Sequence, residues 1–318
     1  MTEQFCHGMV RACFVYDGTV TIRISPSRKL RALAGVLGAA LLLAPAAIAA
    51  PHIRALIVDG QNNHQWQQTT PILKHLLEDT GLFHVEVATT PPQGSDMSPF
   101  HPDFSKYKVI VLNYNGEPWA EATRNAFDKY VRGGGNVVVY HAADNAFPEW
   151  RDYNLMIGVG GWGNRDEKAG PYWFFRDGSL ASSAEPGRAG MHGARKPFQV
   201  TIRDSDHPIT RGLPKVWMHE ADELYNHLRG PGENMTVLAT AYSDPANHGS
   251  GRDEPMLMVT RLGRGRIFHT TLGHDPVAMS CVGFITTFQR GAEWAATGKV
   301  TQKVPPDFPT ADQTSDRH

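Results

Sequence analysis

Between Ile53 and His141 short apolar runs alternate with amphipathic stretches, and no other feature restricts the fold as much. "IRALIVDG" is an apolar run closed by Asp-Gly, the pattern of a strand entering a tight turn. In "TTPILKHLLEDTG" Leu73, Leu76 and Leu77 share one helical face. Thr70 is placed as the N-cap, Pro71 as the first helical residue and Gly81 as the stop. "LFHVEVATT" alternates as a strand does, and "YKVIVLNYNG" has the continuous apolar centre of a strand buried on both faces. "EPWAEATRNAFDKYVRGGG" lines up Trp119, Ala122, Ala126, Phe127 and Tyr130 on a stripe, and "NVVVYH" follows its glycine run. The order strand, helix, strand, strand, helix, strand predicts an α/β domain with a mostly parallel central sheet and helices on both faces.

Farther on, "PFQVTIR", "MTVLATAY", "EPMLMVTRLG" and "GRIFHTTLG" read as strands. "RLGRG" between the last two is a hairpin turn, so the sheet gains an antiparallel C-terminal extension. The polar, glycine-rich stretch from Gly158 to Lys196 reads as one long loop. "VGFITTFQRGAEWAATG" is a closing helix with Phe284, Phe288 and Trp294 on its inner face. One domain is expected over residues 50–300, and the polar, proline-containing tail 301–318 is expected to be disordered.

Residues 1–49 do not fit this pattern. Arg28, Lys29 and Arg31 precede an apolar run from Leu33 to Leu43, and Ala47 and Ala49 complete an A-x-A cleavage site. This is the layout of a secretory signal peptide, and the run is too short to span a bilayer comfortably. The mature protein is therefore expected in the periplasm or outside the cell, without stable membrane insertion. Cys6 and Cys13 fall in the leader, so Cys281 alone remains and no internal disulfide forms. With 31 basic and 32 acidic residues, charge gives no support for nucleic acid as a partner. The sequence leaves a homo-oligomer open.

In open α/β sheets ligands bind beyond the carboxyl ends of the strands. The residues there are Asp59, Asn63, His64 and Trp66 after the first strand, Asn113 and Asn115 after the third, and His141 and Asp144 after the fourth. His269, His274 and Asp275 follow from the late strand "GRIFHT". Each has a bland alternative: Asp59-Gly60 makes a turn, His269 belongs to the core, and Asp275 caps the helix begun by Pro276. "HEADELY" adds His219, Glu220, Asp222, Glu223 and Tyr225, either as a solvated acidic turn or as groups reaching the cleft.

His141, Glu223 and His274 are the candidate acid–base residues, because imidazole and carboxylate move protons near neutral pH. Asp59, Asn63, His64, Trp66, Asn113, Asn115, Asp144 and Trp162 are the candidate substrate contacts. Trp66, Trp119, Trp162, Tyr172 and Trp173 have faces on which a sugar ring can stack, although aromatics in this number more often build core. If a divalent metal such as zinc or manganese binds, His64, His141, His219 and His274 are its ligands, yet no H-E-x-x-H, H-x-H or paired-cysteine spacing announces one. No glycine fingerprint follows the first strand, so no nucleotide cofactor is expected.

Several separated motifs in order, "ALIVDGQNNHQW", "VVYHAADNAF", "HPITRGLP" with "DELY", and "GRGRIFHTTLGHD", resemble the ThuA-like (trehalose-utilisation) family. The resemblance covers residues 53–296 and implies a flavodoxin-like fold similar to class I glutamine amidotransferase domains. It also implies a place in the catabolism of trehalose and other disaccharides or glycosides, alongside oxidoreductases that make 3-keto sugars. In the amidotransferases a nucleophilic cysteine follows a central strand. Here His141 lies at that point, so glutamine chemistry through a thiolate is not expected. The expected function is a carbohydrate enzyme acting on a disaccharide or 3-keto-glycoside. The alternative is a non-catalytic sugar-binding protein with the same cleft.

Overall fold

A computed structural model describes residues 52–317; the expected leader lies outside them. The first half alternates as the periodicity requires: β1 (Ile53–Asp59), α1 (Trp66–Glu78), β2 (Phe83–Thr89), β3 (Val109–Leu112), α2 (Glu121–Arg132), β4 (Asn136–Tyr140) and α3 (Arg151–Ile157). Then come β5 (Tyr172–Arg176), β6 (Ser179–Ser183), β7 (Lys196–Ile202), β8 (Val216–Asp222), β9 (Thr236–Tyr242), β10 (Asp253–Leu262) and β11 (Gly265–Thr270), closed by α4 (Pro276–Ser280) and α5 (Val282–Thr297).

All eleven strands join one sheet. Its main path is β2-β1-β3-β4-β11-β10-β9-β7-β8, with β5 pairing β10 and β6. The expectation of a mostly parallel sheet is corrected. Four strand pairings, among β2, β1, β3, β4 and β11, are parallel, and six are antiparallel. Helical crossovers supply much of the parallel half, whereas two-residue turns join β5 to β6 and β10 to β11, and so short a turn can only reverse direction. In the β10–β11 hairpin Gly263 has φ 58°, and a Cβ there would lie 2.7 Å from Arg132 Cα. Four successive antiparallel steps separate β11 from β8, so both run the same way and their carboxyl ends share one edge of the sheet.

Side chains alternate between two cores. Ala55 and Ile57 of β1 pack with Leu73, Leu76 and Leu77 of α1 and Phe284, Phe288 and Trp294 of α5. Leu56 and Val58 face the other way, toward Phe127 and Val131 of α2 and Tyr153, Met156 and Ile157 of α3. Helices thus cover both faces, as expected. Helix α1 begins at Trp66 rather than Pro71, because Thr69 and Thr70 turn inward and accept hydrogen bonds from Asn113 Nδ2 at 3.0 Å.

The tail expected to be disordered is instead packed. Met218 N donates to Thr310 O at 2.7 Å, Val282 N to Ser315 O at 2.8 Å and Arg317 N to Ser280 O at 2.9 Å. The Phe308 ring lies 5.7 Å from that of Trp217. Backbone bonding overrides a composition that reads as linker. Among the described residues no helix is long and apolar enough to cross a membrane.

Candidate functional site

Strand β4 ends in a five-residue 3-10 turn, and its first residue, His141, has φ 44°. A non-glycine residue in the left-handed region costs about 1 kcal/mol, so its surroundings must hold it there. Nδ1 does so by donating to the carbonyl of Thr271 at 2.6 Å, just beyond the end of the adjacent parallel strand β11. That bond fixes the tautomer and leaves the Nε2 lone pair facing the sheet edge, where it accepts from the Tyr225 hydroxyl at 2.9 Å.

His64 is set in the same way. Its Nδ1 lies 3.1 Å from both Asn62 Oδ1 and Asn63 Oδ1, so it carries the proton and Nε2 is turned toward the same point. Asn113, a candidate contact, is buried and bonds Asn62 at 3.1 Å, so it holds the His64 loop from behind. His274 comes from the loop after β11, and Glu223 from the residue after β8. Glu223 Oε2 lies 3.6 Å from His64 Nε2, 3.8 Å from His141 Nε2 and 3.0 Å from His274 Nδ1. One ligand atom from each of these four residues falls within 4.8 Å of every other. The four side chains thus meet at the carboxyl edge of the sheet, and the shared direction of β8 and β11 brings the carboxylate to it.

Asp222 locks the two late loops together. Its Oδ1 accepts from the amides of Glu223 (2.7 Å) and His274 (3.1 Å), and its Oδ2 from the amide of Gly273 (2.7 Å) and His219 Nε2 (2.8 Å). His219, expected among the metal ligands, is therefore corrected: it is fully buried behind Asp222, with Nε2 already committed. Burial alone would discharge it, but Cys281 and Asp222 beside it raise its pKa to about 10.

Electrostatics at the cluster follow from one carboxylate among three imidazoles. Burial would raise the Glu223 pKa, yet the imidazoles of His141, His274 and His64 gathered around it hold it far below the usual carboxylate range. His64 is lowered, chiefly by burial and further by the neighbouring imidazoles. For His141 burial also pulls downward, but Glu223 and Asp222 outweigh it and the net direction is up. Three imidazoles and one carboxylate are a donor set that suits a divalent cation. His274 Nδ1 is buried and makes no hydrogen bond despite its 3.0 Å approach to Glu223, while the other ring nitrogens of His64 and His141 are already occupied by oxygen acceptors.

The cluster opens into a cavity of about 820 Å³. Of the candidate substrate contacts Asn63, His64, Asn115 and Trp162 line it, together with the candidate acid–base residues Glu223 and His274. Sequence reasoning missed His192 and Arg195, which reach the cavity from the glycine-rich stretch; a lone histidine in "GMHG" was the available signal. His192 Nε2 lies 3.6 Å from Glu223 Oε1, and its Nδ1 lies 2.9 Å from the carbonyl of Gly193.

Besides Asn113, three expected contacts lie elsewhere. Asp59 is buried and accepts from Thr89 Oγ1 at 2.7 Å, tying β1 to β2, and burial raises its pKa. Asp144 is fully buried, 3.6 Å from His269 Nε2. Trp66 lines a neighbouring cavity. Trp119 is core.

The fold and the site together define a mixed α/β protein with a three-histidine, one-glutamate cluster at the carboxyl edge of its sheet. The chain belongs to the ThuA family, described as trehalose utilisation, whose family model matches residues 54–295. A putative ThuA-like protein from Parabacteroides merdae is 49% identical, with TM-score 0.82 over 84% of this chain and 98% of that one. A putative ThuA-like protein from Bacteroides uniformis shares the fold at 20% identity and TM-score 0.52, over 79% of this chain and 94% of that one. No curated protein matches. Membership assigns the chain a carbohydrate-related role.

Proposed function

We propose that this chain is a periplasmic or secreted enzyme that acts on a disaccharide or 3-keto-glycoside by acid–base chemistry beside a divalent metal. The convergence of His64, His141, Glu223 and His274 carries the reading. The parallel run β2-β1-β3-β4-β11 supports the flavodoxin-like, amidotransferase-like description of the first half.

His64, His141, Glu223 and His274 would hold the divalent ion, zinc or manganese, through three imidazole nitrogens and one carboxylate oxygen. When bound, such an ion supplies positive charge that polarises a carbonyl or acidifies a bound water. With their lone pairs committed to it, His141, His274 and Glu223 hold and orient rather than shuttle protons, a change from the role expected of them. Proton transfer falls to His192. Its Nδ1–H is directed at the Gly193 carbonyl, so Nε2 is free to accept, and the ring faces the cavity. On a 3-keto-glycoside, Nε2 takes the proton from the carbon between the keto and glycosidic carbons. The electron pair becomes a C=C bond as the glycosidic C–O bond breaks, and the departing oxygen takes the proton from the Nε2–H that His192 now carries, which restores the neutral imidazole. Tyr225, released from His141 Nε2, turns its hydroxyl toward the substrate.

Metal analysis of the purified protein, together with NMR of a panel of 3-keto-disaccharides, tests this. One ion per chain and metal-dependent conversion are expected. Sugar binding without turnover would make the protein a non-catalytic binder, and a chain that takes up no ion would end the reading.

A further inference from the structure

A second cavity, of about 850 Å³, lies beside the first, and Asn63 and Asn115 line both. Asn115 Nδ2 bonds Asn63 Oδ1, and the Asn63 amide donates to Asn115 Oδ1 at 3.2 Å. The pair forms a polar ridge between two spaces that are each large enough for a ligand.

Beyond the ridge the walls are Trp66, Gln61, Glu117 and Gln93. Internal bonds fix two of them. Gln61 Nε2 donates to the Pro91 carbonyl at 2.8 Å, and Glu117 Oε2 accepts from the Gly94 amide at 2.9 Å. Trp66 is different. It is half-buried at the start of α1, belongs to none of the three core clusters, and presents its indole to the cavity. An aromatic face of that size left against water is covered with gain by an apolar ring face, and the C–H face of a pyranose is one. Carboxylate and amide groups around the indole match the hydroxyls at the ring edge.

We infer that the Trp66 cavity is a second sugar subsite, so that the substrate is a two-ring glycoside lying across the Asn63–Asn115 ridge with its reacting ring at the His/Glu cluster. This rests on the sugar reading above and adds to it the place of the second ring, with Trp66 as the residue that selects a ring-shaped leaving group.

The test is calorimetric titration of the manganese-loaded protein with trehalose, maltose, cellobiose and lactose against glucose and galactose. The best disaccharide should bind roughly tenfold or more tightly than the best monosaccharide, and Trp66→Ala should remove that advantage while leaving monosaccharide affinity within about twofold. Trp66→Phe should restore most of it. Gln93→Trp, which fills the second cavity from its exposed rim without touching the core, should also lower disaccharide affinity to the monosaccharide level. Equal affinity for one and two rings, or Trp66→Ala weakening both alike, would overturn the subsite and leave the sugar reading standing. If no sugar of either kind binds the wild type, the sugar reading fails and takes the subsite with it.

Discussion

Replacing Asp222 with Asn changes one atom and tests how the site is held together. Four donors converge on the carboxylate, two on each oxygen: Glu223 N and His274 N on one, Gly273 N and His219 Nε2 on the other. An amide offers one acceptor oxygen and turns an NH2 group toward the remaining two donors. Each buried donor left unpaired costs about 1–3 kcal/mol, and the charge assistance from His219 is lost as well. The expected destabilisation is about 3–5 kcal/mol, the range seen when one partner of a buried pair is removed. A domain with about 5–15 kcal/mol of stability should survive this in a folded but weakened form. Because Asp222 fixes the backbone on which both His274 and Glu223 stand, metal affinity should also fall about 10–100-fold. Urea unfolding of the metal-free protein gives the first quantity, and chelator competition on the folded variant gives the second. An Asp222→Asn protein within about 1 kcal/mol of wild type and with unchanged metal affinity would refute the argument that this carboxylate organises the cluster.

Three further outcomes are expected. His192→Ala should lower kcat about 10²–10⁴-fold while retaining one ion per chain, as measured by turnover and metal analysis; parallel loss of the ion would mean that His192 is a ligand instead. Truncation after Val300 should lower the melting temperature by several degrees, because it removes the Thr310, Ser315 and Arg317 backbone bonds and uncovers Trp217, whereas loss of a disordered tail would leave it unchanged. Glu254 is buried, which raises its pKa to about 7 against the opposing pull of the Ser250 hydroxyl. A carboxyl with a raised folded-state pKa favours folding below its unfolded value near 4.5, and that contribution is lost as pH rises toward 7. Glu254→Gln should therefore be more stable than wild type by about 3 kcal/mol above pH 7 and nearly equal to it at pH 4.5, by denaturant unfolding at each pH.

Much of the fold was legible because it rests on periodicity. The continuous apolar runs of β3 and β4 and the leucine face of α1 can bury themselves only in a helix-covered sheet. Strand β8 was harder to read, because "VWMHEAD" alternates buried and half-buried positions with residue types that also suit an acidic turn. The β5–β6 hairpin was readable in principle: Asp177-Gly178 is a hairpin-turn dipeptide, and both residues have positive φ, at 52° and 76°. It was obscured by the glycine-rich sequence on either side. The tail was misread for a different reason. Its bonds are made by backbone groups, which composition does not reveal.

The cluster was legible in its edge and three of its imidazoles, but its carboxylate and the cavity wall depend on topology. His64, His141 and His274 each follow a parallel strand, so the rule about strand ends finds them without any coordinates. Glu223 follows a strand four antiparallel steps away, and only an even number of reversals points that strand back toward the same edge. One strand fewer between β11 and β8 would send the carboxylate to the opposite edge and leave three imidazoles with no negative partner. His219 and Glu223 are four residues apart and chemically equal as candidates. What separates them is the end of β8: His219 still points into the core within the strand, whereas Glu223 is the first residue beyond it. The C-terminal antiparallel extension is therefore part of the site. It supplies the carboxylate and, through Asp222, the clamp that holds the Glu223 and His274 loops together.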